Sequence, residues 1–94
     1  MIRHVVMWKF KPEEQAAMET FLQGLRQLDG VIPELLHMEI GVNCKPGNDF
    51  DACLIADFAD LDALERYKND PRHVAVSRLC KSIRTARGAV DFQF

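Results

Sequence analysis

No apolar run in this sequence approaches the ~20 residues needed to span a bilayer, and no basic stretch followed by an apolar one stands at its start. A membrane partner and a leader are not expected, and the chain reads as cytoplasmic. Cysteine is scarce. Cys44, Cys53 and Cys80 are odd in number, far apart and without Cys-x-x-Cys spacing, so neither a disulfide framework nor a zinc or thioredoxin-like site is indicated. They read as reduced small residues, two of them buried. Neither charge sign dominates: 12 Lys and Arg stand against 14 Asp and Glu, a formal net charge of −2. Without a basic footprint, nucleic acid is not an expected partner. Among only three histidines no two share helical ligand spacing, so no metal site is expected.

What is present is an ordinary globular composition, 48 % apolar and 28 % charged, over 94 residues. That length makes one domain, residues 1–94, with a single core. Basic residues do gather late, at Arg72, Arg78, Lys81, Arg84 and Arg87. They read as a solvated face complementing the C-terminal end of a helix, with an anion site as the alternative.

Residues 2 to 10 are rich in β-branched and aromatic side chains and predict a strand; Pro12-Glu13-Glu14 then marks a helix start. Met18, Phe21, Leu22, Leu25 and Leu28 recur at helical spacing up to the stop at Asp29-Gly30, with Gly24 weakening the helix slightly. Leu36, Met38, Ile40 and Val42 alternate as a second strand. Turn residues 45–49 lead to a third over 50–58, forming an antiparallel hairpin. Asp60 is placed to cap a helix ending near Asn69. Asp70 then caps another, with Pro71 in its first turn and a stripe of Val76, Leu79, Cys80 and Ile83. Gly88 is read as the end of the helical region, and Val90, Phe92 and Phe94 alternate in a last strand. The order β-α-β-β-α-β, with the second helix broken in two, predicts an α+β ferredoxin-like fold.

In the first strand Ile2, His4, Val6, Trp8 and Phe10 point one way, and Val5 and Met7 point the other. Neither face looks wet, yet helices cover only one face of such a sheet. A second copy packed sheet to sheet is the expected cover, leaving space between the sheets for a ligand.

The stretches IRHVVMWKF, IPELLHMEIG, DFDACLIADFADLDALERY, DPRHVAV and VDFQF, in that order, resemble the Dabb family, the stress-responsive dimeric α+β barrel domain. The resemblance implies a ferredoxin-like protomer in a homodimeric α+β barrel. It also implies, through one plant branch, a polyketide cyclase that closes an aromatic ring without metal or organic cofactor. In that branch a histidine acts as base and a tyrosine holds the substrate, in a Tyr-x-x-His-Pro-x-His motif. Tyr67 and His73 match that pair, Asp70 stands in place of the motif's first histidine, and His4 matches a first-strand histidine.

The positive end of a helix dipole disfavours an imidazolium, so His73 in a first turn is expected to be neutral and able to accept a proton. Tyr67 would then hydrogen-bond a substrate carbonyl. His73 and Tyr67 are thus the candidate catalytic residues, and His4, Val6 and Trp8 the candidate ligand-binding residues. His73 as a residue that merely bonds nearby backbone is the competing reading. His37 is expected to be exposed, Asp51 and Asp57 too far apart to act as a pair, and Cys53 a packing residue. Three functions fit: a dimer that binds a small apolar or aromatic ligand, with His/Tyr acid-base chemistry; a non-enzymatic stress-associated dimer; and a cofactor-independent monooxygenase-like enzyme. A cavity of roughly 300 Å³ or more reached by His73 and Tyr67 would favour the first, and a sealed aromatic interior the second.

Overall fold

A computed structural model describes residues 1–94. Strand β1 (Ile2–Phe10) passes through a short 3₁₀ turn (Pro12–Glu14) into helix α1 (Gln15–Arg26). Strands β2 (His37–Val42) and β3 (Ala52–Phe58) form the hairpin. Helices α2 (Leu61–Asn69) and α3 (Pro71–Ile83) follow, and β4 (Arg84–Gln93) closes the fold. The four strands form one antiparallel sheet in the order β2-β3-β1-β4, the ferredoxin-like arrangement, with the helices on one face.

The core lies between sheet and helices. Ile2, Val6, Trp8 and Phe10 of β1 meet Leu54, Ala56 and Phe58 of β3, and Phe21, Leu22 and Leu25 of α1 seal them from above. Each side chain fully buried there contributes about 1.5–3 kcal/mol. Trp8 and Phe21 meet edge to face, with centroids 5.1 Å apart. A Cβ at Gly24 would stand 3.2 Å from Val76 Cγ1, so the glycine read as a weak point in α1 is what lets α3 approach. Gly30, at φ +79°, takes the left-handed turn after α1.

Two expectations are corrected. Gly88 does not end a helix: α3 stops at Ile83, and β4 runs through Gly88 opposite Met7. The nine residue pairs that β4 makes with β1 outweigh a local stop signal. The candidate ligand-binding residues His4, Val6 and Trp8 do not line a space between two sheets; their face of β1 is buried beneath the helices. The outer face instead carries Val5, Met7, Ile55, Val90 and Phe92, and Met7 and Phe92 are 42 % and 43 % exposed. Arg3 crosses this face, gripping Asp57 at 2.8 and 3.0 Å and lying 4.3 Å from the Phe94 ring centre.

Candidate functional site

The site is built on the break between α2 and α3. Asp60 starts α2 by accepting from the Ala63 N–H at 2.8 Å, and Asp70 accepts from the Arg72 N–H at 2.9 Å to start α3. Side-chain and backbone bonds from Arg72 hold the Asp70 carboxyl down to about 2. Pro71 cannot continue α2 but suits the first turn of α3, so the chain turns and sets His73 above the last turn of α2. There His73 Nδ1 lies 3.1 Å from the Lys68 carbonyl oxygen. A carbonyl only accepts, so Nδ1 carries the proton and Nε2 keeps its lone pair when the ring is neutral. Burial lowers the His73 pKa, and the nearby His4 and Lys68 charges lower it further, against the bond to the Lys68 carbonyl.

Tyr67 comes beside His73, as expected, but by its ring. Its centroid is 4.5 Å from the imidazole and 5.0 Å from Phe58. The side chain is fully buried, its hydroxyl meets no hydrogen-bond partner, and burial pushes its pKa far upward, so it stays a phenol.

His4 approaches from the sheet. It pairs across the β1–β4 ladder with Asp91, whose carboxylate accepts from Nδ1. Here too Nε2 is left free. Burial lowers the His4 pKa, and Asp91 partly opposes that shift. His4 and His73 border one pocket of about 60 Å³, walled by Val6, Trp8 and Leu54 of the sheet and Phe21 of α1. Tyr67 stands outside that wall. The pocket thus gathers His73 with His4, Val6 and Trp8, within one protomer between sheet and helices rather than between two sheets. It is also well below the volume expected for an aromatic ligand.

A larger hollow of about 390 Å³ lies on the outer face beside Met7, Gly41 and Cys53, but no histidine borders it. The remaining polar candidates have structural partners. Asp51 accepts from the Phe10 N–H at 2.8 Å where the β1–β4 register shifts, and Asp57 holds Arg3. His37 is exposed, 3.3 Å from Glu39. No three His, Cys, Asp or Glu side chains cluster as a metal-binding set, and no helix is long and apolar enough to cross a membrane. The residue that sequence reading missed is Asp91. Its signal was present: between the outward Val90 and Phe92, it shares the face of His4.

The sequence profile of the stress responsive A/B barrel domain, Dabb, matches residues 2–94. The chain belongs to the Dabb family. A comparison with curated protein sequences finds no match. Among solved structures, the Dabb chain resembles a dimeric ferredoxin-like protein of unknown function from Bacteroides fragilis, at 26 % identity, TM-score 0.92, and 99 % and 95 % coverage of the two chains. A Dabb family protein from Mesorhizobium loti matches at 25 % identity, TM-score 0.83, with 99 % and 95 % covered. The hydroxynitrile lyase of Passiflora edulis, at 13 % identity, TM-score 0.84, and 97 % and 90 % coverage, shares the fold.

Proposed function

We propose that this Dabb protein binds a small polar molecule in the pocket between its sheet and helices and performs cofactor-independent acid-base chemistry on it with His73 and His4. One observation carries the reading: two imidazoles from opposite layers border one pocket, each with Nδ1 engaged by an acceptor and Nε2 free. Burial favours the neutral form of both, and a charge on one opposes a charge on the other. One neutral ring can then take a proton from a carbon next to a carbonyl through Nε2, and the imidazolium so formed returns that proton, or one exchanged with water, to carbon while the other ring stays neutral. Tyr67 backs His73 through its ring, with its hydroxyl buried and unpaired outside the pocket wall. A Dabb homodimer joined through the apolar outer faces fits the exposed Met7, Val90 and Phe92 and the dimeric state of the Bacteroides fragilis protein. Its three unpaired cysteines fit a reducing, cytoplasmic compartment.

A second reading, a non-enzymatic dimer, draws support from the small pocket and from the bond of His73 to backbone. That bond occupies Nδ1 only, so it orients the base without consuming it.

The test is exchange of carbon-bound protons of acetone, acetaldehyde and pyruvate in D₂O, followed by proton NMR. Exchange catalysed by the wild-type protein and lost in His73→Gln supports the chemistry. No exchange with any of the three, or equal exchange by His73→Gln, overturns it and leaves the non-enzymatic dimer.

A further inference from the structure

The pocket has a charge pattern that acid-base chemistry alone does not require. Lys68, Arg84 and Arg87 border it together with the two histidines and Ser77, and no Asp or Glu does. Lys68 is 3.6 Å from Glu65, but Arg84 and Arg87 take part in no ion pair. Asp91, the carboxylate bonded to His4, does not border the pocket. The two arginines share a face because of a fault in the sheet. Arg87 pairs with Trp8, the register shifts after Lys9, and Arg84 rather than Thr85 comes opposite Phe10. Trp8 and Phe10 both face the helices, so the shift turns two guanidiniums toward one pocket. Of the late basic residues, Arg72 is paired with Asp70, and only Arg84 and Arg87 border the pocket.

Resting on the reading of this pocket as a ligand site, we infer that its ligand is a small carboxylate, held at the mouth by Arg84 and Arg87 while His4 and His73 address the adjoining carbon. A guanidinium fork matches the two oxygens of a carboxylate, and cations beside an apolar wall focus a positive potential. A pocket of about 60 Å³ limits the remainder of the molecule to a few heavy atoms.

The test is titration of the ¹⁵N-labelled protein with acetate, its neutral counterpart acetamide, and inorganic phosphate, reading the Nε2 resonances of His4 and His73. Acetate should move both resonances and bind at least about tenfold more tightly than acetamide, the range of a charge-assisted hydrogen bond. The double variant Arg84→Gln, Arg87→Gln should weaken acetate by about tenfold or more and leave acetamide unchanged. Arg87→Lys, which keeps charge but loses the fork, should retain part of the affinity. Acetamide binding as well as acetate, or acetate unaffected by the double variant, overturns the inference while the pocket reading stands. Phosphate binding more tightly than acetate overturns the carboxylate assignment. No response of either histidine to any of the three overturns both readings.

Discussion

Asp91 stands directly across the β1–β4 ladder from His4, and its carboxylate accepts the imidazole Nδ1 proton. This sets the tautomer of His4 and supports its charged form against the burial that opposes it. Asp91→Asn removes the charge and keeps the shape. The pKa of His4, read by NMR titration, should fall further below the usual 6.5. An unchanged or raised value would mean that Asp91 is not coupled to the ring.

The two histidines also tie stability to pH. Their folded-state pKa values are lowered, so between 6.5 and the folded values the unfolded chain binds more protons. Stability is full above the unfolded value and is lost as pH falls through that window. Asp57 and Asp70, both lowered, add their loss only below about 4, near the unfolded Asp value. The thermal midpoint should therefore drop between pH 7.5 and pH 5, and the drop should shrink in His4→Gln and His73→Gln. A flat profile across that range would contradict the burial of both rings.

Val6 and Met7 are neighbours with opposite fates. Val6 is 1 % exposed beneath the helices, and Met7 is 42 % exposed on the outer face. Val6→Asp buries an unpaired charge in the core and should cost about 4 kcal/mol or more, enough to unfold a marginal domain. Met7→Asp should leave the protomer folded and shift sedimentation toward the monomer. A folded, unaltered Val6→Asp protein would reverse the assignment of the faces.

Tyr67→Phe deletes a buried hydroxyl that has no partner. Denaturant unfolding should show no loss of stability and a gain of up to about 1 kcal/mol, because a desolvated donor is removed. A loss greater than about 1 kcal/mol would mean that the hydroxyl has a protein partner after all.

The sequence by itself determined the local elements and the break at Asp70-Pro71, because caps, turns and apolar periods act over a few residues. Asp60 and Asp70 cap the helices they were expected to cap, and His73 falls in the first turn of α3. The order of elements along the chain and the Dabb family were legible for the same reason, as a succession of local patterns. Only the tertiary structure decided which face of β1 the helices cover, since the outer face carries Val5 and Met7 along with Arg3 and Lys9 and is not cleanly polar. Long-range pairing also set the pocket: it brought Asp91 to His4 across 87 positions and, through one register shift, turned Arg84 and Arg87 to the same side. Such contacts depend on which strands pair and in what register, and that is settled by the energy of the whole sheet rather than by any short segment of it.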